Sequence, residues 1–283
     1  MTTQGLRRLS VGQRLFVLAV LAFTVGPFAP LLIQSFAFRW AWPDLMPSVW
    51  WFEQRQISPF PLAWDYVLSP TSQVLEATIN TVGIGVAVMV VCLIICLPAA
   101  RVLARGHFRG KRRLEFVFSL PLLVPEAAIG IALLMIFIGL GISGTYPGVI
   151  AVHLIPTVPY MLRMLTSVYQ GLDAGYEDCG RVLGANEWQV LTRITLPLLL
   201  PGVLAGALFT FLVSTNLFLL TFFIGQGKIV TLPTLLFSQI SGGAMGATAA
   251  GIALIASIPG LILLVLSDRL IREEAFALGI GDT

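Results

Sequence analysis

Charge is scarce in this sequence. Charged residues make up only 11% of the 283 residues, while hydrophobic residues make up 57%. An ordinary soluble domain has about 25% charged residues, so the composition excludes a soluble globule and predicts an integral membrane protein. The alternating pattern of a transmembrane β-barrel is also missing. The spans are therefore expected to be α-helices, the other structure that satisfies its own backbone in lipid.

Histidine and cysteine are few. The two histidines, His107 and His153, fall in separate segments, and a membrane enzyme requires a cluster of reactive side chains facing one compartment. We therefore predict no catalytic residue. Cys92 and Cys96 lie one turn apart in an apolar run, and Cys179 lies in a polar segment. Thiols without a nearby histidine make a poor metal site, so we predict no bound metal or cofactor and interpret the cysteines as packing residues.

Long apolar runs dominate the chain instead. A spanning helix needs about 20 mainly apolar residues to cross about 30 Å of hydrocarbon. The sequence predicts an all-α integral membrane fold with six transmembrane helices, and the fifth contains a small-residue spacing (Gly202, Gly206) that allows close helix approach. The six runs lie at about Leu15–Phe38, Leu75–Leu97, Leu114–Leu140, Pro147–Val168, Leu196–Ile224 and Ala247–Leu266.

The basic residues predict the orientation. Cytoplasmic loops carry an excess of Lys and Arg, and placing both termini in the cytoplasm collects most of the 17 basic residues on that side. The predicted organisation is a cytoplasmic N-terminus (1–14), a single six-helix domain (15–268) and a cytoplasmic tail (269–283). The net charge of +3 reflects the basic residues that set this orientation. It is therefore not interpreted as a sign of nucleic-acid binding. The basic residues assigned to the cytoplasm are Arg7, Arg8, Arg14, Arg101, Arg105, Arg109, Lys111, Arg112, Arg113, Arg163, Arg181, Arg193, Arg269 and Arg272.

The first outward loop, residues 39–73, is rich in tryptophan. All but one of the six tryptophans fall in it. Indole rings favour the membrane–water interface, where one edge is apolar and the other hydrated. Interfacial anchoring is one interpretation of this loop, and a contact surface for an external protein is the other. The tryptophans are Trp40, Trp42, Trp50, Trp51 and Trp64.

A polar helical segment, residues 178–197, separates two apolar runs. Median connections are short, so this much polar helix is unusual for a simple loop. Gly184 can end one helix in a left-handed turn, and Asn186 can cap a second helix over Glu187–Arg193. Pro197 suits the first turn of the following membrane helix. The sequence therefore predicts two short helices joined at an angle on the cytoplasmic side.

One face of the second short helix suits a partner protein. Trp188 and Leu191 are three residues apart, so they share a face that can enter a groove on another protein. Asp178, Arg181 and Arg193 would lie at the rim and set the orientation of binding. The alternative interpretation is an amphipathic helix lying on the inner leaflet.

The spacing of Gly184, nine further residues and then Ile194-x-Leu196-Pro197 resembles the signature loop of permease subunits of binding-protein-dependent type I ABC importers. The start of the second span at Asn80-Thr81 is also similar to the core helix of that family. Asp178-Cys179-Gly180 stands where Glu-Ala-Ala is usual, which leaves the fine geometry of docking open. The residues to which the resemblance gives a coupling role are Asp178, Gly184, Ala185, Trp188, Leu191, Ile194, Leu196 and Pro197.

The resemblance implies a set of partners and a location. Residues 173–197 would be a coupling loop that docks onto one of two separate ATPase subunits, which would bind the ATP and Mg²⁺. A second permease, expected to be a different chain, would share the translocation path, and an external binding protein would deliver the cargo. The protein would be a multi-pass component of the bacterial inner membrane, surrounded by lipid.

Four polar residues in the apolar runs are candidates for the substrate path. An ionisable group at membrane depth is costly and marks a functional site by default, and Glu126 is such a group, although it can instead pair with a neighbouring helix. Ser214 and Asn216 can equally join helices or line a path. Asn80 completes the candidate set. The pattern around Glu126 resembles permeases for polyamines, opines or phosphonates, and a polyamine-like cation is the favoured substrate, although the family's acid near position 216 is missing.

Two alternatives belong to other classes of membrane protein. A secondary transporter driven by an ion gradient favours internal repeats and several intramembrane acids; the sequence shows no convincing repeat and few such acids. A non-catalytic scaffold subunit is compatible with the same composition. Co-purification with a nucleotide-binding protein would distinguish all three.

Overall fold

The structure is a computed structural model that describes residues 10–40, 43–242 and 246–277. Several expected features lie outside the described residues: most of the N-terminal segment (1–9), Trp42 and the end of the tail (278–283). Arg269 and Arg272 lie on a described helix, but their side chains are not described.

Helices account for nearly all the regular structure of the described residues. The first, α1, begins at a capping box in which Ser10 and Gln13 bond each other's backbone. The helices are α1 (Val11–Val25), α2 (Phe28–Phe36), α3 (Trp51–Gln54), α4 (Ala63–Val67), α5 (Val74–Arg105), α6 (Lys111–Ser119), α7 (Glu126–Gly139), α8 (Tyr146–Gly171), α9 (Gly175–Val182), α10 (Glu187–Val190), α11 (Leu196–Asn216), α12 (Leu219–Gly225), α13 (Leu232–Ser241) and α14 (Ala247–Ala277).

Four helices among the described residues are long and apolar enough to cross a membrane. A fifth candidate consists of α6 and α7, and it is bent by 93°. The predicted span Leu114–Leu140, which contains two prolines, is therefore bent and consists of two helices. The break lies at residues 123–125, between Leu122 and Glu126, where Pro125 lacks the N–H that continues a helix and disfavours helical geometry in the residue before it. The four unbroken candidates are Val11–Phe36, Val74–Arg105, Tyr146–Gly171 and Glu187–Asn216.

The predicted fifth span is also too long. Its helix ends at Asn216, where Leu217 adopts an extended conformation, and a new helix, α12, begins at Leu219. The Asn216 side chain donates to the Leu212 carbonyl 2.8 Å away, and such local bonds compete with the helical ladder. The sixth helix runs from Ala247 to Ala277, beyond the predicted end at Leu266.

The tryptophan-rich loop has its own structure, which an all-α prediction did not include. Two short strands, β1 (Ala37–Arg39) and β2 (Val49–Trp50), pair antiparallel with Ala37 opposite Trp50. Trp51 donates its indole N–H to the Leu62 carbonyl at 2.9 Å. Hydrogen bonds and strand pairing therefore shape this loop in addition to its affinity for the interface.

The described residues form two compact units where the sequence predicted one domain. One unit contains the described residues up to Leu75 together with Leu236–Ile255; the other contains Glu76–Leu235 and the described residues from Ala256 onward. The core of the second unit is built on α5, α8, α11 and α12. A Cβ at Gly202 would collide with Val168, and one at Gly206 would lie 2.8 Å from the Met161 sulfur. The predicted close approach of helices at these glycines is confirmed.

Candidate functional site

The polar segment between α8 and α11 contains a complete glycine cap. Helix α9 ends at Val182, and Gly184 has a φ of +87°. The Gly184 N–H donates to the Arg181 carbonyl and the Ala185 N–H donates to the Gly180 carbonyl, both at 3.0 Å. These two bonds define the Schellman motif, which needs a left-handed residue at this position. The turn predicted at Gly184 is present.

Helix α10 begins as the sequence predicts and then continues. Asn186 accepts from the Gln189 N–H and Gln189 returns a bond to Asn186, each at 2.9 Å, so a capping box starts the helix. The next residues, Leu191–Thr195, form a π-helical turn that leads directly into α11. A wide turn accommodates Pro197, which has no N–H to offer. The predicted separation of the short helix from the fifth span is therefore wrong. Hereafter α9, α10 and the turns after them (residues 175–195) are called the coupling module.

Five charged side chains connect the coupling module internally and to α5. Arg181 bonds Glu187 at 2.7 Å and Asp178 at 2.8 Å. Arg101, near the end of α5, bonds Glu187 at 2.9 Å and lies 3.6 Å from Glu177. The Glu187 carboxylate, with those of Glu177 and Asp178, raises the pKa of the Arg181 guanidinium above its usual range. Arg181 therefore stays charged at any physiological pH.

Glu177 is a buried acid of the coupling module that the sequence interpretation did not include among the candidate residues. It is buried, with 4% of its surface exposed, and it accepts a bond from the Thr195 hydroxyl at 2.7 Å and one from Arg181 at 3.4 Å. Asp178, which stands at the position of the glutamate in the family pattern, is largely exposed. Glu177 and Arg181 are four residues apart on one helix, a spacing that favours an ion pair. This spacing is the sequence signal that points to Glu177.

The departure at Asp178-Cys179-Gly180 has a packing explanation. Gly180 is buried in α9, and a Cβ there would collide with the end of the Ile194 side chain. Ile194 occupies the space that an alanine methyl group would take. The helix-weakening glycine, at about 1 kcal/mol relative to alanine, thus allows the π-helical turn to pack closely against α9.

Four large apolar side chains of the coupling module are exposed. Trp188 is 71% exposed, as the docking interpretation requires, and Leu191 beside it is half-buried. The sequence interpretation did not include Val182 and Leu183, which are each 87% exposed, or Tyr176, which is 57% exposed. Ala185, Ile194 and Leu196 are half-buried, and Pro197 is exposed. Hereafter Tyr176, Val182, Leu183 and Trp188 are called the apolar docking residues.

The candidate path residues Asn80 and Ser214 both make hydrogen bonds inside the second unit. The Asn80 amide donates to the Val230 carbonyl at 2.9 Å, and its oxygen accepts from the Tyr146 hydroxyl at 2.8 Å. Ser214 lies 2.9 Å from Nδ1 of His153. Both side chains are buried, so this geometry gives them a structural role.

His153 is the centre of a buried polar cluster. Its Nε2 lies 2.8 Å from the Thr221 hydroxyl, and that hydroxyl donates to the Leu217 carbonyl at 2.9 Å. Nε2 is therefore the donor, and Nδ1 accepts from Ser214. Thr157, one turn along α8, donates to the His153 carbonyl at 2.7 Å. The cluster joins α8 to the end of α11 and to α12 across the helix break.

Glu126 and Asn216 lie at helix ends. Glu126 is the first residue of α7, and its carboxylate accepts the Leu220 N–H of α12 at 3.3 Å. An acid at the start of a helix is favourable because the N–H groups there are free. Glu126 remains partly exposed and Asn216 is exposed. These two, unlike Asn80 and Ser214, have surface available to a substrate.

Comparison with known proteins identifies the family. Residues 96–273 match the family described as binding-protein-dependent transport system inner membrane component. The chain belongs to this family, and it is a multi-pass inner-membrane protein with a type I ABC importer permease fold.

Individual relatives differ in their named cargo. The molybdenum transport system permease protein ModB of Mycobacterium bovis is 34% identical over 195 residues, which are 64% of this chain and 73% of the relative. The spermidine/putrescine transport system permease protein PotC of Haemophilus influenzae is 28% identical over 215 residues, 76% of this chain and 83% of the relative.

A solved structure has the same fold. A chain of a bacterial ABC transporter involved in the import of the acidic polysaccharide alginate superposes with a TM-score of 0.68 at 18% identity. The match covers 92% of this chain and 98% of that one. At this identity the likeness supports the fold alone.

Proposed function

We propose that the chain provides half of a translocation path and is driven by ATPases on separate subunits. Two such ATPases would bind ATP and Mg²⁺, a second permease would complete the path, and an external binding protein would deliver the cargo. Six spans with both termini in the cytoplasm fit the distribution of basic residues, which would place the coupling module beside the ATPases. The chain itself would carry out no chemistry.

The exposed apolar docking residues are the observation that supports this function. Large apolar side chains on a water-exposed surface mark interaction sites. Here they lie on a module whose shape is fixed by a glycine cap, a capping box and the ion pairs of Arg181. A surface that is both apolar and preorganised loses little entropy on binding. It is suited to hold one ATPase firmly enough to transmit its movement.

ATP-driven closure of the ATPases would move the coupling module and change which side of the membrane the path faces. A ligand shifts such an equilibrium only through contacts that differ between the two states. The two ATPases would fulfil this condition if their closure brought the docked coupling modules to a different separation. The membrane helices would follow because α10 continues without interruption into α11.

A polyamine-like organic cation is the substrate class we propose. Glu126 is a partly exposed carboxylate at the start of α7, and a carboxylate at membrane depth attracts a cation. The spermidine/putrescine relative supports this assignment by its name. The second candidate is an oxyanion, which the molybdenum relatives favour.

The docking proposal is tested by purification from membranes. The tagged chain should retain an ATP-binding-cassette ATPase, and Trp188→Ala should reduce the amount retained about ten-fold, since central aromatic anchors contribute most to binding. Leu68→Ala is the matched control, because Leu68 is also a large exposed apolar residue but lies outside the module. Labelling of a cysteine at position 188 from the outside of intact cells would contradict the proposal.

The substrate proposal needs a separate measurement. Proteoliposomes containing the assembled transporter should take up radiolabelled putrescine or spermidine, and Glu126→Gln should lower that uptake about five-fold without changing assembly. Glu115→Gln, which changes an acid on α6, is the control. ATP-dependent uptake of molybdate in place of polyamine would overturn the substrate class and leave the permease function standing.

A further inference from the structure

We propose that Arg101 is a positioning residue that connects the coupling module to α5, and that α5 transmits the module's movement to residues 230–232. This inference rests on the proposed function. It adds a second route for force besides the direct continuation of α10 into α11.

The cytoplasmic end of α5 is attached to the module by Arg101, and to the residue just before the module's linker by Arg105. Arg101 bonds Glu187 on α10 at 2.9 Å and lies 3.6 Å from Glu177 on α9. Arg105, one turn later, donates to the Leu172 carbonyl just before α9 at 2.6 Å. Among the five charged residues that link the module, Arg101 is the one that another helix carries. Any movement of α9 and α10 therefore acts on α5 through it.

The opposite end of α5 is attached to the segment that leads into α13. Asn80 donates to the Val230 carbonyl at 2.9 Å, and Thr81 accepts the Leu232 N–H at 2.8 Å. Both α5 side chains are buried. Hydrogen bonds in an apolar environment are costly to leave unmade, so this segment should remain attached when α5 moves.

A single helix spans the distance between these two attachments. Helix α5 has 32 residues, and at 1.5 Å per residue it is about 48 Å long. Between the two attachments it packs against α8, where Cys92 contacts Thr157 and Cys96 contacts the Val158 carbonyl. A helix attached at both ends by polar bonds can carry a displacement from one to the other.

The energetics argue for a positioning role over a folding role. The bond between Arg101 and the exposed Glu187 contributes little to stability, and Glu187 and the buried Glu177 each keep a bond to Arg181 when Arg101 is removed. Arg101→Gln should therefore leave the module folded and able to bind its ATPase. What it loses is the direct bond between the module and α5; Arg105 still bonds the Leu172 carbonyl just outside the module.

The experiment uses the assembled transporter with its co-purifying ATPase in nanodiscs. Val230→Cys reports on the far end of α5, in a Cys179→Ser background because Cys92 and Cys96 are buried. The rate of labelling by a membrane-impermeant maleimide is measured without nucleotide and after trapping with ATP and vanadate. Trapping should change the rate about five-fold with Arg101 present and less than about two-fold in Arg101→Gln. Both proteins should retain the same amount of ATPase.

Two comparisons make this result specific. Arg163→Gln removes an arginine that bonds Ser119 and not the coupling module, and it should preserve the full response. Adding Glu187→Gln to Arg101→Gln should cause little further loss, because residues that act through one bond are not additive.

The results that would overturn the inference differ from the result that would overturn the proposed function. A full response in Arg101→Gln, or no response with Arg101 in place, overturns the inference and leaves the permease function intact. Loss of ATPase from Arg101→Gln also overturns it, since the arginine would then shape the docking surface itself. Absence of any ATPase from the unmodified complex would overturn the proposed function.

Discussion

The coupling module and the His153 cluster use polar residues in opposite ways. In the module the polar groups are charged and mostly exposed, and they surround apolar side chains that face outward. In the cluster they are neutral and buried, and every bond joins one membrane helix to another or to its own backbone. The surroundings explain the difference, because water screens charges that lipid would make very costly.

The comparison indicates where a substitution should lower stability and where it should leave the fold intact. Screened ion pairs set orientation and contribute little energy, so the module can lose one and keep its fold. A buried hydrogen bond has no water to replace it, and its loss leaves an unsatisfied group. Substitutions in the cluster should therefore affect stability, and those in the module should affect coupling.

The largest effect is expected at His153. His153→Leu leaves the buried Ser214 hydroxyl without its acceptor and removes the N–H that Thr221 accepts, and since an unsatisfied buried group costs about 1–3 kcal/mol, the free energy of unfolding should fall by about 3 kcal/mol. Thermal unfolding in detergent measures this change. Gln170→Leu, on the exposed end of the same helix, should be nearly neutral. An unchanged melting temperature in His153→Leu would show that the cluster does not stabilise the helix packing.

The next largest effect is expected at Gly184. A β-branched residue at a φ of +87° is strained by about 2 kcal/mol, so Gly184→Val should distort the module and reduce ATP-driven uptake about ten-fold while membrane insertion stays normal. Hydrolysis and uptake are measured together in proteoliposomes. Gly171→Val is the control, since a Cβ there meets open space and its φ is not positive. Normal uptake by Gly184→Val would refute the role of the glycine cap.

The smallest effect is expected at Glu177, and it distinguishes this acid from its neighbour Asp178. Glu177→Gln removes the buried charge shared by Arg101, Arg181 and Thr195 but keeps an acceptor oxygen, and it should lower coupled uptake two- to five-fold, since a neutral acceptor bonds more weakly by about 0.5–1 kcal/mol. Asp178→Asn, at an exposed acid, should change it less than two-fold. If Asp178→Asn lowered uptake more than Glu177→Gln, Asp178 would be the more important acid, as the family pattern implies.

Local features of the module could be predicted from the sequence, and long-range ones could not. The Gly184 turn and the Asn186 cap each depend on residues within a few positions, so short patterns were sufficient. At the start of α12, the Leu220 N–H bonds the carboxylate of Glu126, which comes from a distant part of the chain. The bond between Arg101 and Glu187 spans 86 positions. No periodicity or spacing indicates such a contact.

The exposed side chains of Val182, Leu183 and Trp188 have a consequence for how the protein is made. In the proposed assembly, a copy without its ATPase would present these apolar side chains to the cytoplasm, where chaperones and proteases recognise apolar surface. Synthesis in excess of the ATPase should therefore end in degradation of the surplus. The same residues that transmit force would then also keep the subunits of the complex in equal supply.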